Sequence, residues 1–193
     1  MKKYEFTGEV KTWLGRTLHQ IRAVVAFGEI EAGEVGGWIE KEENLDHEGN
    51  AWVYDNARVY GNARVSGNAR VYGDARVYGN AWVSGNARVY GDARVSGDAQ
   101  VSGNARVYDN ARVYGDAHYL TIGPIGSRNG TTTFFRTKSL EIFVSCGCFL
   151  GNIQAFAEKV KETHGDSDHA KAYFLAIELA KLRIDLTPEE QEE

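Results

Sequence analysis

Proline, cysteine and methionine are nearly missing: two prolines, two cysteines and one methionine occur in 193 residues. Two cysteines make no disulfide framework and fit a reducing, cytoplasmic location. No apolar run is long enough to span a bilayer, and Met1-Lys2-Lys3 passes straight into Tyr4-Glu5-Phe6 without a signal-peptide core. An excess of positive charge is also lacking. The net charge is −5, spread as −4 over residues 1–48, +2 over 49–120 and −3 over 121–193. No block is basic enough to announce a nucleic-acid protein.

What is present is repetition. Gly49 to Leu120 is one six-residue phrase said twelve times: Gly/Asp, Asn/Asp, Ala, Arg/Trp/Gln/His, Val, Tyr/Ser. The last copy decays into Ala117-His118-Tyr119-Leu120. A strict short period sets the fold before any single residue matters. Ala and Val stand two apart, so in an extended chain they share one face. The Gly-Asn or Gly-Asp pair is a corner, because Gly accepts positive φ and Asn and Asp tolerate it. A meander of hairpins would leave the Ala/Val face uncovered. A coil of three hexads buries it, and stacked coils pair each strand with the coils above and below. This alternation resembles the hexapeptide repeat of left-handed β-helices, which implies 18 residues per coil and four coils.

Taking every third hexad sorts the outward residues into three faces. Face one carries Trp52, Arg70, Arg88 and Arg106 beside Tyr54, Tyr72, Tyr90 and Tyr108, with corners Asn50, Asn68, Asn86 and Asn104. Face two carries Arg58, Arg76, Arg94 and Arg112 with Tyr60, Tyr78, Ser96 and Tyr114. Face three carries Arg64, Trp82, Gln100 and His118 with Ser66, Ser84, Ser102 and Leu120. A face stripped of bulk is what close packing against another surface needs.

Residues 1–48 read as an N-terminal β cap, with strands at Lys3 to Val10 and Leu18 to Phe27. Solenoid ends expose unpaired edges, so a cap is required. Leu45 and His47 fit the inward hexad positions poorly. Ile21-Arg22-Ala23-Val24, Phe27-Gly28, Gly36-Gly37-Trp38-Ile39, Leu45 and Glu48-Gly49-Asn50-Ala51-Trp52-Val53-Tyr54 resemble the start of YdcK-like hexapeptide-repeat proteins. These are bacterial and phage proteins, often labelled transferases on fold grounds alone. The resemblance covers about the first two-thirds of the chain and implies a left-handed parallel β-helix without naming a reaction.

Residues 121–193 read as an α+β module. Tyr119 to Ile122, Thr131 to Thr137 and Glu141 to Cys146 read as strands. Asn152 caps a helix from Ile153 to about Thr163, ended by Gly165. Asp166 or Asp168 starts a second helix reaching about Ile184, with Ala170, Tyr173, Phe174, Ile177, Ala180 and Ile184 as its stripe. Thr187 to Glu193 is an acidic tail. The second helix, about 17 residues or ~25 Å, could lie along face three, since four coils stand ~19 Å tall. Chain continuity at Leu120 favours a lid on the last coil, leaving face three for subunit packing. Thr121-Ile122-Gly123-Pro124-Ile125-Gly126-Ser127-Arg128-Asn129, Ser145-Cys146-Gly147-Cys148-Phe149 and Glu162-Thr163-His164-Gly165 resemble a C-terminal module of phage and prophage proteins.

Four features bear on chemistry. Arg70, Arg88 and Arg106 interleaved with Tyr72, Tyr90 and Tyr108 could hold phosphates and stack bases. The plain alternative is a solvated wall on which rings stack and Arg pairs with corner Asp, and a block charge of +2 favours it. Left-handed β-helix acyltransferases, by resemblance, are trimers that use a His as general base. Here the coils hold no His before His118, His47 precedes them, and no loop is inserted between hexads. Cys146 and Cys148, with His164 and His169, form C-x-C-x15-H-x4-H, tighter than usual zinc spacing. Small buried thiols are the plainer reading, with an activated thiolate near a helix start as the other. Gly123 to Gly130 is a Gly-rich loop in which Arg128, Asn129 and Arg136 could cradle an anion, or it is a long hairpin connection without a Walker lysine.

The expectation is a mainly β chain: a left-handed parallel β-helix of about four coils between an N-terminal β cap and a C-terminal α+β module. Its expected role is non-catalytic binding or scaffolding of phage or mobile-element type, countering a host defence by holding a protein or a nucleotide signal. Acyl transfer is the alternative and nucleic-acid binding through the Arg/Tyr walls the third reading. Arg128, Asn129, Arg136, Cys146, Cys148 and His164 are the candidate ligand residues. No catalytic residue, metal or cofactor is assigned. The expected partners are further copies of the chain, as dimer or trimer, and a host protein or small anion. A membrane is not expected, nucleic acid is disfavoured, and the location is cytoplasmic, in the host if phage-encoded.

Overall fold

The computed structural model describes residues 2–188. Strands β1 (Tyr4–Trp13), β2 (Arg16–Ala23) and β3 (Val35–Ile39) precede eleven two-residue strands, β4 to β14, running from Trp52–Val53 to Arg112–Val113. These short strands stack as a parallel β-solenoid of about four coils. On face one Arg70 and Val71 pair in parallel with Arg88 and Val89, and those with Arg106 and Val107. The three outward columns therefore form three separate ladders, as the every-third-hexad sorting expects. Two residues per strand suffice because each backbone group is satisfied by the next coil. The Arg70 N–H donates to the Ala87 carbonyl at 2.9 Å and the Tyr72 N–H to the Val89 carbonyl at 3.0 Å. Every repeat Ala and Val from Ala51 to Val113 is buried in one continuous core.

The corners explain their own composition. Gly67 has φ +66°, and a Cβ there would stand 3.1 Å from the Gly85 nitrogen one coil on. Glycine enters the left-handed backbone and the close stacking without strain, although Asp55 and Asp109 take the same corner position at φ +49° and +59°. Beside the glycines, Asn50, Asn68, Asn86 and Asn104 form an amide ladder with links of 3.1, 3.0 and 3.1 Å.

The cap supplies the first rung. Trp38 and Ile39 of β3 pair in parallel with Arg58 and Val59, and Leu45 bridges to Val65. Leu45, expected to fit its inward position poorly, is buried in the core. No coil lies beneath it, so a large side chain closes the cross-section that Ala or Val would leave open. Trp52 stands in an outward column yet is fully buried, because Tyr4 and Phe27 cover it edge-on at 6.3 and 5.4 Å. Lys3 is drawn in with them; its Nζ donates to the Ala51 carbonyl at 2.9 Å, and burial lowers its pKa to about 8. The β1–β2 hairpin lies on face two, where Arg58 and Arg76 approach the Trp13 ring at 4.1 and 4.7 Å.

The twelfth hexad does not complete its coil. Asp116–His118 turns as a 3-10 helix, and Tyr119, too large for the Val position, opens an antiparallel sheet. That sheet runs β15 (Tyr119–Ile125), β16 (Gly130–Arg136), β17 (Ile142–Cys146) and β18 (Phe149–Asn152), followed by α1 (Ile153–His164) and α2 (Asp168–Arg183). Phe135 points into the coils and joins their core, 6.0 Å from Tyr108. Thr133 Oγ1 accepts the Arg106 N–H at 3.1 Å, and the Lys138 N–H donates to the Asn110 carbonyl at 3.1 Å. The sheet is thus a lid on the last coil, and α2 does not cover face three. Phe134 points the other way, into a second core with Ile142, Val144, Phe156 and Ile177.

Asn152 caps α1 as expected, its Oδ1 accepting the Ala155 N–H at 2.8 Å. Helix α2 begins at Asp168, one of the two expected starts, and Ser167 caps it. Phe174 leaves the expected stripe and faces solvent, with Ala176 buried instead. Strand β18 was hidden because Phe149 to Asn152 reads as a lead-in to the helix; Gly147 at φ +60° turns the chain back after Cys146. Residues 189–193 of the acidic tail lie outside the described residues. Among the described residues no helix is long and apolar enough to cross a membrane.

Candidate functional site

The lid contains a cavity of about 350 Å³ between the β15–β16 turn, the Gly147-Cys148 turn, the flank of α1 and Tyr173 of α2. Four of the six candidate residues meet there: Arg128, Cys146, Cys148 and His164. Asn129 stands in the turn beside Arg128 at φ +48° and does not line the cavity. Arg136 lies elsewhere. It is buried at the joint between lid and coils, its Nη1 2.9 Å from His118 Nε2 and its guanidinium 5.8 Å from the Tyr114 ring.

Ile125, Phe149, Phe156 and Val160 make the apolar part of the lining, with Thr131, Thr163 and Tyr173 among the polar part. Tyr173 was read only as core, since its ring sits on the buried stripe of α2. Its hydroxyl lies 3.5 Å from Cys146 Sγ, which accepts the Thr132 hydroxyl at 3.1 Å. Burial, then the Cys146 contact, raises the Tyr173 pKa to about 12, so the phenol stays neutral. Gly126, at φ +74°, admits the Tyr173 hydroxyl; a Cβ at that position would run into it. His164 stacks on Tyr173 at 5.7 Å and meets His169 edge-on at 6.0 Å.

The lining includes Arg128, Lys159 and His164 and no carboxylate. Lys159 pairs with Glu162 at 2.9 Å, an exposed contact of small worth. Arg128 is exposed and makes no ion pair among the described residues. The thiols do not sit at the start of α1, because β18 intervenes and the far half of that helix lines the cavity. Among the described residues no three His, Cys, Asp or Glu side chains are grouped to hold a metal.

The Arg/Tyr wall of face one is occupied with itself. Tyr72 stacks on Tyr90 at 4.8 Å and Tyr90 on Tyr108 at 4.3 Å, so the ring faces a base would use are covered. Arg70 is held by Glu29 at 2.6 Å, and Arg106 reaches the Gly147 carbonyl at 3.3 Å. Arg88 remains exposed beside the Asn ladder.

His118 is likewise engaged through both ring nitrogens, and His47, ahead of the coils, through Nδ1. His118 Nδ1 accepts the Tyr114 N–H at 3.1 Å while Nε2 faces Arg136, and burial followed by Arg136 lowers its pKa. His47 Nδ1 accepts the Lys3 N–H at 3.2 Å, and burial lowers its pKa too. His47 borders a shelf of about 600 Å³ at the cap end of face three with Glu42, Glu43, Asp46, Arg64 and Trp82. The shelf is larger than the lid cavity, but it gathers none of the candidate residues.

A family described as the YdcK beta solenoid repeat matches residues 51–67, 57–73, 63–78, 69–85, 87–103, 99–115 and 105–118. Most successive matches overlap and step by whole hexads, as a continuous coil requires. A protein of Escherichia coli strain K12, described as "Uncharacterized acetyltransferase YdcK", is 50% identical over 38 residues, 20% of this chain. That stretch spans 12% of the relative's own length. The likeness is to a YdcK-like repeat β-solenoid, and the family matches fall within residues 51–118.

Proposed function

We propose that this YdcK-like solenoid is a rigid post for a binding module, and that the lid cavity holds a small ligand with an anionic group and an apolar body. One observation carries the reading: Arg128, Lys159 and His164 border an apolar hollow that contains no carboxylate. A volume of about 350 Å³ admits a molecule the size of an aromatic phosphate or carboxylate. The coils border hollows as large or larger, about 600 Å³ at the cap end of face three and about 350 Å³ beside Arg88, but each is lined by carboxylates, Glu42, Glu43, Asp46 and Glu48 in the first and Glu29 in the second. The phage-type resemblance of the C-terminal stretches supplies a setting: holding an anionic host signal would blunt a defence without any turnover.

Calorimetry with phenyl phosphate, benzoate and mononucleotides tests this. Binding of at least one probe, weakened about tenfold by Arg128→Gln, supports the reading, since a charge-assisted hydrogen bond is worth about 1.5–3 kcal/mol. No binding by any probe at about millimolar concentration, a bound free energy of only about 4 kcal/mol, sinks it. A bound probe recovered chemically unchanged distinguishes holding from turnover.

Acyl transfer is the second reading, favoured by the description of the E. coli relative alone. Against it stands His118, both of whose ring nitrogens already face other groups; His47, ahead of the coils, has its Nδ1 taken by the Lys3 N–H. Acetyl-CoA binding that is lost in His118→Gln would favour this reading over the first.

A further inference from the structure

Of the four tryptophans, three have their rings occupied. Lys11 Nζ stands 3.9 Å from the Trp38 ring, Arg58 and Arg76 lie 4.1 and 4.7 Å from the Trp13 ring, and Tyr4 and Phe27 cover Trp52. Trp82 is the exception. Among the described residues no ring and no cation stacks on it, and 48% of it is exposed. Its Nε1 donates to Ser66 Oγ at 3.0 Å, which fixes the indole in one orientation. Its rung neighbours are Arg64 and Gln100, so the coil itself does not require an aromatic ring in this column.

Trp82 forms part of the wall of the shelf of about 600 Å³ where the cap meets face three. The cap side brings Glu42, Glu43, Asp46 and Glu48, and the coils bring one opposing charge, Arg64. Lys2 takes Glu42 at 2.6 Å, and His47, its pKa lowered by burial, adds no charge at neutral pH. Glu43, Asp46 and Glu48 are exposed and make no ion pair among the described residues, so the shelf keeps a negative excess. Carboxylates alone would be a solvated rim; an oriented indole with a bare face, set in the same concavity, selects a ligand. A guanidinium stacks flat on an indole and donates paired hydrogen bonds to carboxylates, whereas an ammonium is a hydrated point charge. Trp13, with two guanidiniums over it, shows the same pairing within the protein. The volume is that of a ligand pocket rather than of a single side chain, and three free carboxylates call for more than one cation.

We propose that this shelf binds an arginine-rich segment of a partner protein, with one guanidinium on the Trp82 ring and others against Glu43, Asp46 and Glu48. The site lies at the cap end, away from the lid, and does not rest on the reading of the lid cavity. The two hollows carry opposite charge: cations without a carboxylate in the lid, free carboxylates on the shelf. Arg64 opposes the ligand and limits its affinity. Exposed charge contacts of this kind are screened, so attachment is reversible and weakens with salt.

Indole N–H signals of the isotope-labelled full chain test the proposal, since Trp82→Gln identifies the Trp82 signal. Gln100 in the same column makes that substitution compatible with the coil. Acetyl-triarginine amide, titrated to about 1 mM, should move the Trp82 signal and leave those of Trp13, Trp38 and Trp52 in place. In calorimetry the affinity should fall about fivefold in Trp82→Gln. It should fall by about the same factor in Glu43→Gln with Glu48→Gln. Arg64→Ser should strengthen binding about threefold by removing the opposing charge, and Arg128→Gln in the lid should leave it unchanged. A Trp82 signal that stays still, or binding indifferent to Trp82→Gln, overturns the proposal. Spermidine bound as tightly as the peptide overturns the choice of an arginine segment. Binding of triglutamate at the shelf, or peptide binding weakened by Arg64→Ser, overturns its sign.

Discussion

In the coils every buried Ala or Val has the same residue type as its neighbour one rung away; in the lid Phe134, Ile142, Phe156 and Tyr173 each meet a different set of partners. The first arrangement packs without gaps because each rung is a copy of the last. It also makes the inward positions equivalent from rung to rung. The second leaves a hollow and puts Arg128, His164 and two thiols around it. Regularity gives the coils a uniform core, and irregularity gives the lid a hollow of mixed lining. The two meet at Phe135, which belongs to the lid's sheet and to the solenoid's core.

Phe135 is therefore where the contrast is easiest to break. Phe135→Ala should cost about 3–5 kcal/mol, the usual range for a buried Phe, and should lower unfolding midpoints read from the lid and from the coils together. A loss below about 1 kcal/mol, or a lid that melts alone while the coils hold, would mean that the two regions do not share a core.

Glycine substitutions sharpen the contrast at the next size of effect. Gly126 and Gly103 both have positive φ, +74° and +64°. A Cβ at Gly103 meets nothing within 4 Å, whereas at Gly126 it meets the Tyr173 hydroxyl. Gly103→Ala should cost about 1–2 kcal/mol, the left-handed backbone alone. Gly126→Ala should cost about 2–4 kcal/mol, because overpacking adds to it, and should also weaken probe binding by displacing Tyr173. Equal costs in denaturant titrations would show that Tyr173 is not locked in place.

The coils were legible because each hexad repeats its instruction twelve times, and the every-third sorting gives the ladder pairs by residue number. The ends were less legible for reasons of size and singularity. Trp52 occupies an outward position and is buried only because Tyr4 and Phe27 arrive from the cap. Leu45 looked misplaced because the Ala/Val rule holds only where coils lie on both sides. In the lid, Cys146, Cys148 and His164 were named as one spacing and Arg128 in a separate loop, and their convergence needed the three-dimensional path of β17, β18 and α1. Tyr173 and Lys159 carried no signal apart from helix periodicity. Arg136 shares its residue type with Arg128, but its place at the end of β16 turns it to the joint.

Acidification should act on the joint and the cap rather than on the coils between them. Burial, and next Arg136, lowers the His118 pKa; burial also leads the lowering at His47. In the window between each depressed folded value and the unfolded value of about 6.5, the unfolded chain binds more protons, so stability falls as pH falls. Each histidine contributes at most about 1.4 kcal/mol per pH unit there, and nothing further once both states are protonated. His118→Gln should flatten its own share in urea titrations. Stability that rises on acidification through this window would contradict both assignments.

The smallest effect belongs to the coil surface. Tyr90 stacks between Tyr72 and Tyr108, and burial raises its pKa, so it stays a neutral ring. Face two already holds a natural interruption, since Ser96 stands in its column between Tyr78 and Tyr114. A serine at a stacked position is therefore compatible with the coil, and Tyr90→Ser should cost only about 1 kcal/mol, near the value of an aromatic pair. Because Tyr108 touches Phe135, the same variant also asks whether the wall and the lid communicate. Probe affinity at the lid cavity should stay within about twofold of the wild type, roughly 0.4 kcal/mol. A larger change would make the tyrosine ladder part of the site and end the division of labour between post and lid.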